Sequence, residues 1–422
     1  MTVLEQSARR AREAAGLVAD AGAGGRTRAL ELMATAVTGA AGTVLAANAL
    51  DMAAARAAGH PGAFLDRLRL DEGRLQAMVA TLRDLAASPD PLAQPGLAWT
   101  RPNGLVVERR PVPLGVLAVI FESRPNVAVD AAALAVRSGN AVLLKAGSEA
   151  SRTVNRLVEV LSTGLARAGL PRQAVQVVPG DRDAALGLAR LSGLVDLLVP
   201  RGGGPLLRAV RAMATVPLVE TGPGNCHVYV DAAADMAMAL DIIVDAKTQR
   251  PGVCNAAETL LVHRAIAARF LPQATAALSS RGVTLRCCAA ALKQMPGAQL
   301  ATAEDWDAEY LDLVLAVRVV PDMAGALRHI RAHSTGHSEA IVTEDQAAAA
   351  AFLSAVDAAA VYHNASTRFT DGGEFGFGGE LGIATGRVHA RGPLGPEQLV
   401  TYKYVVVGSG QTRGERWSSR GR

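Results

Sequence analysis

Between residues 141 and 364 short runs of β-branched and aliphatic residues alternate with helical segments, and this alternation constrains the fold more than any other feature. AVLLK (141–145), VQVV (175–178), VDLLVP (195–200), VPLVE (216–220) and HVYVD (227–231) read as strands. Segments 150–168, 181–191 and 205–214 between them carry helical spacing. A second series follows, with strands at 258–263, 313–320, 339–343 and 360–364 and helices at 233–247, 264–279, 322–333 and 345–356. Strands that run continuously apolar and are joined through helices pair in parallel, and a parallel sheet needs helices on both faces. The fold class expected is therefore α/β, with two parallel-sheet domains and a cleft between them.

The rest of the chain is simpler. Residues 3–87 read as helices broken by glycines at 22–25 and 59–62, and 87–96 is a proline-rich loop. Leu105–Glu108 and Gly115–Phe121 are strand-like pieces separated by prolines, TYKYVVVG (401–408) reads as an edge or oligomer strand, and FTDGGEFGFGGELG (369–382) as a long loop. The formal net charge is +4, but the last fourteen residues hold four arginines against one glutamate, which leaves the body near +1. The basic pI thus reflects a tail, and with aromatics at 4% no nucleic-acid-binding surface is expected. Four cysteines without a CxxC pair point to a reduced, cytoplasmic protein. No apolar stretch has the roughly 18–20 residues of a membrane span.

Chemistry-bearing motifs each compete with a plainer reading. No G-x-G-x-x-G follows a strand and no G-x-x-x-x-G-K-[ST] occurs, but Arg201, Gly202, Gly203 and Gly204 link a strand to a helix. Such glycines let a backbone approach a phosphate at a helix N-terminus, although a merely tight turn is commoner. Lys145 ends a strand, where α/β sheets bind ligands; a solvated lysine is the ordinary alternative. His329, His333 and His337 are spaced four apart, but Ser334–Gly336 should end the helix after His333, and no H-E-x-x-H accompanies them, so no metal site is expected. A free cysteine is usually a buried small hydrophobe. Cys254, however, follows a Pro251-Gly252 turn at the head of a strand, with Lys247 and Arg250 nearby to favour a thiolate. Asn126, just after an apolar strand, offers an amide that could stabilise an oxyanion. Cys226, Cys287 and Cys288 read as structural.

Six segments occurring together, RRPVPLGVLAVIFESRPNVAVD (109–130), VDLLVPRGGG (195–204), ETGPGNCHVYVD (220–231), AKTQRPGVCNAAETLLVH (246–263), VYHNASTRFTDGGEFGFGGELG (361–382) and VHARGPLG (388–395), make the chain resemble the γ-glutamyl phosphate reductases. These glutamate-5-semialdehyde dehydrogenases are a branch of the aldehyde dehydrogenase superfamily. The resemblance implies an NADP-binding domain at 1–232, with oligomerisation strands at 96–112, a catalytic domain at 233–390, an oligomerisation strand at 391–410 and a disordered tail at 411–422. It implies a homo-oligomeric enzyme that uses NADPH to reduce L-glutamyl 5-phosphate to the semialdehyde and phosphate, the second step of proline synthesis. Functional coupling to glutamate 5-kinase, which makes the acyl phosphate, would follow.

By the same resemblance Cys254 is the nucleophile, and Asn126 with the Cys254 N–H forms the oxyanion hole. Lys145, Ser148 and Glu149 bind the adenosine ribose or its phosphate, Arg201 to Gly204 face the cofactor phosphates, and Glu309 holds the nicotinamide ribose. Arg124, Arg368 and Arg391 are candidates for the substrate's phosphate and carboxylate. Glu220 aligns with the base of hydrolytic relatives, for which a reductase has no need. Two departures stand out: Pro223 occupies a position expected to be small or hydroxylated, and Lys145 one where arginine is common. The alternatives are an oxidising, hydrolytic semialdehyde dehydrogenase that uses Glu220, a nucleotide-independent cysteine acyl-transferase, and an inactive partner subunit.

Overall fold

The computed structural model describes residues 2–202 and 204–413; Gly203 and the tail from 414 onward lie outside them. The chain divides into two units, Met1–Leu218 with Gly395–Arg422, and Val219–Leu394.

The first unit contains a four-stranded parallel sheet in the order Val175–Val177, Ala141–Ala146, Val116–Phe121, Leu197–Arg201. All six residues of Val116–Phe121 and of Ala141–Ala146 are buried, as strands covered on both faces must be. Five helices precede the sheet. The first ends at Asp20, and Gly22, at φ 68°, turns the chain into the second, of which it is the first residue; Gly24 and Gly25 lie inside that second helix rather than breaking it. Gly164 lets helix Ser151–Arg167 close on helix Gly22–Gly39, since a Cβ there would sit 2.6 Å from the Met33 Cα. Among the described residues no single helix is long and apolar enough to cross a membrane.

Leu97–Thr100, Val106–Pro113 and Val400–Val407 form a separate antiparallel sheet. The central strand runs through Pro111 and Pro113, where the sequence suggested a break. Both prolines lie beyond the stretch paired with Leu97–Thr100, so only one side of the strand is hydrogen-bonded there. Leu97, Trp99, Val106, Tyr402, Tyr404, Val406 and Val407 are exposed on this sheet.

The second unit holds seven parallel strands in the order Gln299–Leu300, Thr284–Cys287, Val314–Val320, Ala257–His263, Cys226–Val230, Ser338–Val342, Ala360–His363. Cys226–Val230, which the sequence reading assigned to the first domain, pairs here with Ala257–His263 and Ser338–Val342, so the chain divides at 218/219 instead of 232/233. Val216–Glu220 is not a strand: only an isolated bridge between Leu198 and Leu218 forms, beside Pro217. Helix Met323–His333 does stop at His333.

Candidate active site

In the first unit, the residues expected to bind a ligand gather where parallel strands end. Lys145 is not solvated: it is 6% exposed, and its Nζ donates to the Ala146 carbonyl at 2.7 Å. Burial pulls its pKa down, while Asp181 and Glu149 pull it up. An ammonium has three donors, so two lack a protein acceptor among the described residues, which fits an anionic ligand. Ser148 is exposed beside it. Glu149 accepts from the Ser123 N–H at 2.6 Å. Gly147 makes that fold-back possible, because a Cβ would meet the Glu149 carboxylate at 2.2 Å.

The neighbouring strand ends supply the rest. Ser123 adopts φ 44° in the turn that carries Arg124, and the Arg124 carbonyl accepts from the Val127 N–H at 3.0 Å. Asn126 opens helix Asn126–Arg137, exposed, and its Nδ2 donates to Asp130 Oδ2 at 3.0 Å. Burial pushes the Asp130 carboxyl up to about 6, opposed by the Asn126 hydrogen bond and by Arg201. Arg201 pairs with Phe121 across the sheet and is half-buried. Gly202 packs so closely that a Cβ would reach Leu206 at 2.7 Å and Glu122 at 2.9 Å, and Gly204 opens helix Gly204–Met213.

In the second unit, Cys254 lies half-buried in the turn between helix Met236–Thr248 and strand Ala257–His263. Two neighbours grip its carbonyl. Cys226 Sγ donates to Cys254 O at 3.2 Å, and a Cβ on Gly224 would lie 1.5 Å from that oxygen, so only glycine fits. The Gly224 N–H in turn donates to Glu309 Oε1 at 2.7 Å. Burial raises the Glu309 pKa against this hydrogen bond. Asn255 Nδ2 donates to the carbonyls of Arg368 (3.2 Å) and Thr370 (2.9 Å), and Thr367 Oγ1 donates to Asn255 O at 2.7 Å. The turn is thus stitched to the loop that carries Arg368. The Arg368 guanidinium donates to Gln249 Oε1 at 3.0 and 2.9 Å and lies within electrostatic range of Cys254. Burial and Arg250 lower its pKa, while Asp245, Asp371 and Cys254 raise it.

One expectation changes. Lys247 does not serve the thiol: it is fully buried and donates to Glu258 Oε2 at 2.5 Å, with the Tyr310 ring 5.9 Å away. Burial pushes the Glu258 carboxyl up to about 7 despite that lysine. Arg368, with Arg250 beside it, is the cation near the sulfur. Arg391 is engaged elsewhere, its Nη1 donating to Asp357 Oδ1 at 2.5 Å and its Nη2 to Asp357 O at 3.3 Å. Glu220 is half-buried and Pro223 exposed. Of the histidines, His329 and His333 are ring neighbours at 4.5 Å, and His337 is buried apart from them, 3.7 Å from Cys226 Sγ. Gly224, Asn255 and Asp130 were missed in the sequence, and Cys226 was read only as structural, although Asp130 and Glu258 were visible as lone acids inside largely apolar runs.

The aldehyde dehydrogenase family model matches residues 5–285. A γ-glutamyl phosphate reductase of Moorella thermoacetica is 53% identical over 97% of this chain and 98% of its own length. One from Symbiobacterium thermophilum is 54% identical over 92% and 94%. The crystal structure of the Thermotoga maritima γ-glutamyl phosphate reductase superposes with a TM-score of 0.95 at 42% identity, covering 98% of this chain and all of that one. The chain belongs to the γ-glutamyl phosphate reductase family. As a γ-glutamyl phosphate reductase family member it is an oxidoreductase with the aldehyde dehydrogenase fold, and that fold implies a nicotinamide cofactor.

Proposed function

We propose that the chain reduces L-glutamyl 5-phosphate to L-glutamate 5-semialdehyde and phosphate with NADPH, through a thioester at Cys254, as the second step of proline synthesis from glutamate in the cytoplasm. The observation that carries this reading is the seat of Cys254: a half-buried thiol whose backbone is clamped by Gly224 and Cys226 and whose side chain faces the field of Arg368. A clamped nucleophile beside a cation is what attack on an acyl phosphate requires.

The thiolate of Cys254 forms a C–S bond to the acyl carbon, and the C–O bond to phosphate breaks, phosphate leaving with the electron pair. The Asn126 amide and the Cys254 N–H donate to the oxyanion. NADPH, when bound, would supply the hydride that converts the thioester to aldehyde with release of the Cys254 thiolate. Lys145, Ser148 and Glu149 would hold the adenosine ribose and its phosphate, Arg201 to Gly204 the diphosphate, and Glu309 the nicotinamide ribose. Buried Lys145, with two donors unspent, supports that assignment. Arg124, Arg368 and Arg391 take the substrate's anionic groups, with Arg368 best supported and Arg391 tied to Asp357. The exposed Leu97, Trp99, Tyr402 and Tyr404 favour a second copy of the chain as partner, and the unstable substrate favours coupling to glutamate 5-kinase.

The test runs the reaction backwards: semialdehyde, NADP⁺ and phosphate, following NADPH. Turnover should require phosphate, and Cys254→Ala should abolish it. Full-rate NADPH formation without phosphate would replace this reading with the hydrolytic one through Glu220. No nucleotide turnover would leave an acyl-transferase or an inactive partner subunit.

A further inference from the structure

Helix Asn126–Arg137 carries an anomaly. Every residue from Val127 to Val136 is a buried valine, alanine or leucine, except Asp130. A helix that packs this tightly gains nothing in stability from a half-buried carboxylate, whose desolvation is a cost. Such a cost, borne at the end of a ligand-binding sheet, marks a group with a task.

Asp130 has a specific contact. Residues four apart share one face of a helix, and Asn126 Nδ2 donates to Asp130 Oδ2 at 3.0 Å. An exposed asparagine left alone would sample several rotamers, and the two ends of its amide would exchange places. Because only the nitrogen can donate, this bond fixes which way the amide faces. It uses one amide hydrogen and leaves the second without a partner among the described residues. Arg201, on the strand paired with Val116–Phe121, lies within electrostatic range and favours the charged carboxylate.

We propose that Asp130 is a positioning residue: its carboxylate holds the Asn126 amide so that the second N–H is directed at the oxyanion of the reacting acyl group. This rests on Asn126 being the oxyanion donor. Asp130 touches no reacting atom and acts only through Asn126. Its value is preorganisation, since a donor that must first find its rotamer contributes less in the transition state.

A double-mutant cycle tests it in the phosphate-dependent NADP⁺ assay. Asn126→Ala should lower kcat by about 10²–10³-fold, the range for loss of an oxyanion donor. Asp130→Ala should lower kcat by about 10-fold or more with KM for semialdehyde, phosphate and NADP⁺ within about twofold, since the interaction matters only in the transition state. Asp130→Asn, whose amide oxygen accepts the same bond, should recover most of the loss. The Asn126→Ala/Asp130→Ala double variant should be no slower than Asn126→Ala alone. If Asp130→Ala does not fold, Asp130→Leu, which suits the apolar helix, takes its place. Wild-type kcat in the Asp130 variants beside a crippled Asn126→Ala would overturn the positioning role alone, as would losses that multiply in the double variant. Wild-type kcat in Asn126→Ala would overturn the oxyanion assignment and leave Asp130 nothing to position.

Discussion

Replacing Gly224 with alanine should disable the active site by displacing Cys254 rather than by removing any reacting group. The added Cβ would lie 1.5 Å from Cys254 O, 2.4 Å from its carbonyl carbon and 2.9 Å from its Cα. A carbon and a carbonyl oxygen need roughly 3.2 Å, so the two backbones must part by about 1.7 Å, and backbone cannot rotate aside as a side chain can. Neither segment is loose. The Gly224 N–H is held by Glu309 at 2.7 Å, and Asn225 is bonded to Thr335, Trp306 and His333 at 3.0, 2.7 and 2.9 Å. On the other side Asn255 is tied to Arg368, Thr370 and Thr367. Overpacking of this kind costs about 1–3 kcal/mol of stability. A nucleophile moved by about 1 Å loses on the order of 10²-fold in rate. Gly224→Ala should therefore fall at least about 100-fold in kcat for phosphate-dependent NADP⁺ reduction, with Tm lowered by a few degrees. KM for NADP⁺ should rise as well if Glu309 moves with its partner. A variant with kcat within about threefold of wild type and an unchanged Tm would refute the claim that Gly224 fixes Cys254.

Two further expectations concern charge burial. Lys247→Met leaves Glu258 ionised or protonated without its partner and should cost about 3–5 kcal/mol in urea unfolding, whereas the Lys247→Met/Glu258→Leu double variant should recover much of this; equal losses in both would contradict a paired role. His337 is fully buried, and burial alone lowers its pKa to about 4. The unfolded chain binds a proton there near pH 6.5 but the folded one does not, so wild-type stability falls as pH drops below about 6.5 toward 4. Relative to His337→Asn, which lacks this linkage, the wild type should lose about 2 kcal/mol between pH 7 and pH 5; a difference independent of pH would show His337 to be accessible to protons in the folded state.

Local patterns announced most of the elements because periodicity is a local property. The runs at 116–121, 141–146 and 257–263 formed the strands that their β-branched and aliphatic residues implied. Which sheet a strand joins is not local, and so Cys226–Val230 was placed in the wrong domain: nothing in CHVYV distinguishes a partner at 118 from one at 259. Thr284–Cys287 was passed over because two of its four residues are polar and it sits between helices, yet pairing with Val314–Val320 suffices to make it a strand.

The candidate site divides along the same line. Cys254 was legible because a turn, a thiol and a strand follow one another in sequence. Its clamp was not, because Gly224, Cys226 and Glu309 reach it only through the fold. Lys247 was misread for the same reason: seven residues from Cys254, it looked like a neighbour of the sulfur, whereas eleven residues on, Glu258 holds it. Yet the misreading had a visible corrective. An acid inside an otherwise apolar run, Glu258 in AETLLVH or Asp130 in NVAVDAAALAVR, cannot be solvated if the run is buried, so it must have a partner. Sequence alone therefore states that a buried interaction exists and which residue needs it. For Asp130 the structure supplies the partner, an asparagine one helical turn away.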